Sequence, residues 1–264
     1  MVKKISQRIY IFLLFLFLYA PILTLIVLSF NASKSRARWG GFTLEWYTEL
    51  FNDEQIMTAL TTTLIIAFLS ALIATALGTF ASIGINSMKR RWKSLFLNIT
   101  NIPMLNADIV TGISLMLLFI GFRELFKIDF ELGFTSVLIS HITFNIPYVV
   151  LSVMPKLSQT DKSTYEAALD LGATPAFAFF KVILPDIFPG VITGFLLAFT
   201  MSLDDFVITH FTKGPGIDTL STKIYTEVRK GIKPEMYALS TLLFVTVLVL
   251  LLIINSKSSK HQRA

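Results

Sequence analysis

Three aspartates stand in stretches too apolar to offer them water. Asp204 and Asp205 are adjacent in Phe199-Thr-Met-Ser-Leu-Asp-Asp-Phe-Val-Ile, and Asp108 follows Pro103-Met-Leu-Asn-Ala. A carboxylate at the centre of a membrane span costs about 2.5–3.5 kcal/mol on insertion scales and less towards the interface. Two adjacent unpaired acids at depth therefore approach ~5–7 kcal/mol. Two chemistries can offset this. Ser202-Leu-Asp-Asp205 has the spacing of a capping box restarting a broken helix, and Asn106 or Asp108 can cap the helix after Pro103. Capping needs only one acid at each site, so the second of the adjacent pair is surplus. A surplus carboxylate in lipid implies a cavity and a cation, which points to positively charged cargo. No catalytic constellation is present. The chain has zero cysteines, and neither His141 nor His210 has a second ligand at metal spacing. His141, opening an apolar run, is expected as a hydrogen-bonded helix-end residue rather than a proton relay, and His210 similarly.

The elements that must position these acids are helices in a bilayer. Of 264 residues, 54% are hydrophobic and 15% charged, with mean hydropathy +0.69; soluble domains carry about 25% charged residues. Apolar runs predict six spans, at about 9–30, 61–85, 95–121, 133–154, 187–211 and 236–254, in one transmembrane domain covering 1–264. The expected class is an all-α integral membrane protein. The run from Ile9 to Phe30 exceeds the apolar core of a signal peptide, so it reads as a retained first helix, interrupted by Pro21. Trp39, Trp46 and Tyr47 in the following loop suit a membrane interface. Ala, Thr, Ser and Gly in the second span suit close helix packing in lipid.

Orientation follows from the cations. The formal charge of +6 lies mostly between the apolar runs, facing anionic lipid rather than nucleic acid. Placing both termini in the cytoplasm puts 13 Lys/Arg inside and 10 outside. The short segment Met88-Lys-Arg-Arg-Trp-Lys93, with four cations and no acid, is the deciding one, because such a loop resists translocation. The 155–186 loop then lies inside as well.

That loop reads Ser163-Thr-Tyr-Glu-Ala-Ala-Leu-Asp-Leu-Gly172-Ala-Thr-Pro175, continuing to Val182-Ile-Leu-Pro185. Ser163 and Glu166 have capping-box spacing, Gly172 is a natural helix stop, and Thr174 with Pro175 starts a second helix that Pro185 closes. The apolar side chains of Ala168, Leu171, Phe177 and Phe180 then need a covering partner. Glu166-Ala167-Ala168, Gly172 and Leu184-Pro185 at these spacings resemble the signature loop of ABC-importer permeases; Val182 replaces the pattern's Ile. The resemblance implies a type I ABC-importer permease fold with six transmembrane helices, and a cytoplasmic coupling helix docking on an ATPase dimer. ATP and Mg would be bound by that ATPase, with no cofactor on this chain. A phosphate-cradling Gly-x-x-x-x-Gly-Lys-Ser/Thr stretch is absent from the sequence, in keeping with ATP hydrolysis on another subunit.

Phe42-Thr-x-x-Trp46-Tyr47, Asp108-Ile-Val, Ser140-His-Ile-Thr-Phe144, Leu203-Asp204-Asp205 and Lys223-Ile-Tyr225 are together similar to the permeases of spermidine/putrescine importers. That similarity implies polyamine import across the cell inner membrane, a second homologous permease and an external substrate-binding protein. Separated ammonium groups suit acids spread along a pathway, and Trp46 and Tyr225 can add cation–π contacts or anchor at the interface. Three other readings stay open: an importer for another solute, a proton-coupled secondary transporter and a membrane scaffold.

Overall fold

The computed structural model describes residues 2–261, and the described residues are helical apart from loops and one isolated bridge, Asn31 to Phe42. Five segments are long and apolar enough to cross a membrane: Gln7–Ser29, Glu54–Asn86, Asp108–Phe126, Phe134–Gln159 and Pro175–Asp204. The expected sixth span, 236–254, falls in continuous helix, although the side chain at 247 and those from 249 onward lie outside what is described. The chain divides into two compact units, one of residues 58–222 and one joining the segment up to Met57 with that from Lys223 onward.

In the central unit, α3 (Glu54–Asn86), α6 (Phe134–Gln159) and α9 (Leu184–Asp204) form the packed core. Ala71, Ala74, Val149, Val153, Ile187 and Ala198 are buried together. Glycines set how closely the helices approach. A Cβ at Gly78 would lie 2.7 Å from the Val149 side chain, one at Gly190 3.0 Å from the Ser152 carbonyl, and one at Gly194 3.2 Å from the Val149 Cα. Lipid tails are as apolar as the side chains, so close packing of this kind, more than the hydrophobic effect, holds spans together.

Two expected spans are broken. The 95–121 run is α4 (Arg90–Leu105) followed by α5 (Asp108–Phe126), with Asn106 and Ala107 extended between them. The 187–211 run is α9, an extended Asp205, and a short α10 (Val207–Thr212). Both breaks fall at the aspartates, where polar groups can satisfy the freed backbone. The reverse holds at Pro21, which leaves α1 (Val2–Ser29) a continuous helix; neighbouring turns in a membrane helix accommodate the lost hydrogen bond.

The 155–186 loop starts later than its sequence suggests, because α6 continues through Pro147 and Pro155 to Gln159. Asp161, not Ser163, caps α7 (Lys162–Asp170), accepting the Ser163 N–H at 2.9 Å; its place one residue outside the helix suits an Ncap better. Thr174 caps α8 (Pro175–Ala178) as expected. Pro185 does not end this helix. A π turn over Phe179–Ile183 precedes it and joins α8 to α9, giving room for a residue that cannot donate to an α turn.

In the other unit, α1 and α12 (Pro234–His261) pack together, and α12 meets α2 (Glu45–Asn52). The Asn31 side chain organises the loop after α1, accepting from the N–H groups of Ser33 and Gly40 and donating to the carbonyls of Ser35 and Arg38.

Candidate functional site

The three aspartates have three different environments. Asp108 is the first residue of α5, and no side chain caps that helix; its carboxylate is exposed and meets the favourable positive end of the helix dipole. Its charge also reaches the Tyr148 hydroxyl on α6. Neither Asn106 nor Asp108 makes the expected side-chain cap.

Asp205 is held on every side. It accepts from the N–H groups of Ile208 at 3.2 Å and Thr209 at 2.8 Å and from the Thr209 hydroxyl at 2.8 Å, with His141 Nε2 at 3.4 Å. Asp205 therefore caps α10. Ser202 does not, since its hydroxyl turns inward to Ser70 at 3.0 Å and His141 Nδ1 at 2.5 Å. Asp204, the last residue of α9, is exposed and makes no hydrogen bond or ion pair among the described residues. It stands at the negative end of a helix dipole, which disfavours a second negative charge. Nothing described in the protein offsets its charge.

The turn between α7 and α8 closes at Gly172. Gly172 has φ +90°. The bonds from its N–H to Leu169 O at 2.9 Å and from Ala173 N–H to Ala168 O at 3.1 Å make a Schellman turn. Leu171, Phe177 and Phe180 are 89%, 57% and 59% exposed. Glu166 lines a cleft together with Asn86, Leu157, Thr160, Tyr165 and Phe179, at the ends of α3 and α6.

Trp46 and Tyr225 belong to the other unit. Trp46 is 3% exposed and donates its indole N–H to the Asn31 carbonyl at 2.8 Å, so its ring presents no open face for a cation, and it braces the loop after α1 from within. The Tyr225 ring carries the Arg229 guanidinium 5.7 Å from its centroid. Beside it on α11 (Leu220–Lys230), buried Glu227 has Lys223, Lys230 and Lys233 within 3.4, 3.3 and 3.9 Å. Burial works to raise the Glu227 pKa, but the Lys230 hydrogen bond and the Lys223 charge outweigh it and hold the carboxyl below its ordinary range.

Sequence reasoning missed the connection through His141. This residue is 1% exposed, well inside α6, and it bridges Ser202 and Thr209. The available signal was a set of polar residues (Ser70, Asn145, Ser202, Thr209) scattered among apolar spans, which in lipid must satisfy one another.

Residues 74–258 match the family described as binding-protein-dependent transport system inner membrane component. The chain belongs to that family. This permease is 42% identical over 248 residues to the putrescine transport system permease protein PotI of Escherichia coli strain K12, covering 93% of this chain and 88% of the relative. It is 39% identical over 239 residues to the spermidine/putrescine transport system permease protein PotC of the same strain, covering 90% and 88%. Among solved structures, a chain of a bacterial ABC transporter involved in the import of the acidic polysaccharide alginate superposes with TM-score 0.76, 20% identity and coverage of 97% and 95%. That likeness is one of fold. A second, of a bacterial alginate ABC transporter in complex with an alginate pentasaccharide-bound periplasmic protein, has TM-score 0.75 and 18% identity, covering 98% and 94%. The permease is accordingly a multi-pass transport subunit with an ABC-importer permease fold, and not an enzyme.

Proposed function

We propose that this chain forms, with a second homologous permease, the membrane path by which an ATP-driven importer carries polyamines such as spermidine and putrescine into the cytoplasm. An external substrate-binding protein delivers the cargo, and an ATPase dimer engages the loop at Glu166, Ala167, Ala168, Gly172, Leu184 and Pro185. The observation that carries the reading is the unpaired Asp204 carboxylate at the C-terminal end of α9. A passing ammonium group offsets both its charge and the helix dipole behind it. Asp108 offers a second exposed carboxylate, while Asp205 serves the path through the start of α10 that it caps. The names of the two Escherichia coli relatives support the cargo class.

The reading predicts charge-selective competition. In vesicles holding this chain with its genomic neighbours, excess unlabelled putrescine should suppress labelled spermidine uptake, and an anionic oligosaccharide should not. Suppression by the anion alone contradicts the proposal.

Both termini are placed in the cytoplasm on the strength of the cation-rich 86–94 loop. Since the chain contains zero cysteines, single cysteines at Ser35 and Ser87 report sidedness without background. An impermeant thiol reagent on intact cells should label the first and spare the second; the opposite pattern inverts the topology.

A further inference from the structure

The two nitrogens of one buried imidazole span the α9–α10 break. His141 Nδ1 lies 2.5 Å from the Ser202 hydroxyl, in the last turn of α9. Nε2 lies 2.8 Å from the Thr209 hydroxyl, in the first turn of α10. Asp204 lies between these two attachment points in the chain.

Proton counting fixes the direction of the bond at Nε2. The Thr209 hydroxyl has one hydrogen and spends it on Asp205 Oδ2 at 2.8 Å, so it accepts from His141 Nε2–H. The Ser202 hydroxyl joins Ser70 at 3.0 Å and His141 Nδ1 at 2.5 Å. Asn145 Nδ2 donates to Ser70 at 3.4 Å. The imidazole, donating from Nε2, thus completes one connected chain, Asn145 to Ser70 to Ser202 to His141 to Thr209 to Asp205. Three of these residues are entirely buried, and His141 and Ser202 nearly so. In a low-dielectric interior such a chain resists distortion.

We propose that His141 is a positioning residue for cargo translocation. It staples the end of α9 to the start of α10 from α6, and so holds the Asp204 carboxylate outward at a fixed place on the path. Asp204 meets the ammonium group, Asp205 is consumed in the staple, and His141 acts through Asp204 without touching cargo. The inference rests on the polyamine reading above.

A double-mutant cycle on spermidine uptake tests it, in the complete reconstituted assembly with complex recovery measured in parallel. His141→Phe keeps an aromatic ring and removes both bonds. It should lower the uptake rate about tenfold in the wild-type background, and less than about twofold in an Asp204→Asn background, because the group it positions has already lost its charge. A general packing defect would instead reduce uptake by the same factor in both. Should His141→Phe fail to assemble, Ser202→Ala, which removes only the Nδ1 partner, carries the same cycle under the same criterion. Equal fractional losses in the two backgrounds, or a wild-type rate for the single variant, overturn the positioning role alone. A wild-type rate for Asp204→Asn overturns the cargo reading and the positioning role with it.

Discussion

Gly172→Val should insert and accumulate like the wild-type protein yet fail to bring the ATPase with it on purification. Gly172 holds φ +90° and closes the Schellman turn between α7 and α8. A branched side chain is disfavoured there by backbone sterics. Among the described residues beyond its chain neighbours, nothing lies within 4 Å of a Cβ at this position, so the substitution acts through the turn. Its expected consequence is local. α7 and α8 lose their mutual angle, and the exposed Leu171, Phe177 and Phe180 no longer present one surface. Gly172→Ala, with a smaller penalty, should retain part of the association. Full ATPase recovery with the valine variant would remove the loop from the coupling role.

Asp204→Asn and Asp205→Asn, one residue apart, should fail in different ways. At Asp204 no described interaction is lost, so stability and assembly should stay near wild type. Spermidine flux should fall about ten- to a hundredfold, since one charge-assisted contact is worth about 1.5–3 kcal/mol. At Asp205 the substitution removes charge from a carboxylate that caps α10 and faces His141. Asn retains cap capacity, whereas Asp205→Ala should cost about 0.5–2 kcal/mol, the usual value of a lost cap. Lower thermal stability with the alanine variant, and unchanged stability with Asp204→Asn, would separate the two roles. Receptor affinity for polyamine should be the same in all cases. Asp108→Asn should have the smallest effect on flux, because the α5 dipole already favours that carboxylate. If Asp204→Asn transports spermidine at the wild-type rate, the charge has no part in translocation.

The difference between these neighbours shows where sequence reading stops. Apolar run length marked the stretches that hold α1, α3, α5, α6 and α9, since the bilayer fixes the length of a span. Spacing also placed the stop at Gly172 and the Thr174 cap, whose bonds join residues three to five apart. The breaks at 106–107 and 205–206 entered only as one alternative, through caps at Asn106 or Asp108 and at Ser202, because the apolar runs resume on both sides. Capping at Ser163 and Ser202 had the right spacing and the wrong partner. Asp161 stood one residue outside the first helix, and a histidine sixty-one residues away claimed the Ser202 hydroxyl. Trp46 illustrates the same limit. An aromatic in an interfacial loop reads equally as an exposed platform or an internal brace, and only the Asn31 carbonyl in three dimensions decides for the brace. Which of two adjacent aspartates is surplus depends on α6, a separate segment of the chain.

The most direct test of polyamine import by an ATP-driven permease is labelled-spermidine accumulation in proteoliposomes. These should contain this chain, the second permease and the ATPase, with the receptor protein outside and ATP enclosed. Accumulation against the gradient should require ATP and the receptor, and it should persist when a protonophore abolishes the proton gradient. Accumulation that continues without ATP and collapses with the protonophore would contradict the account.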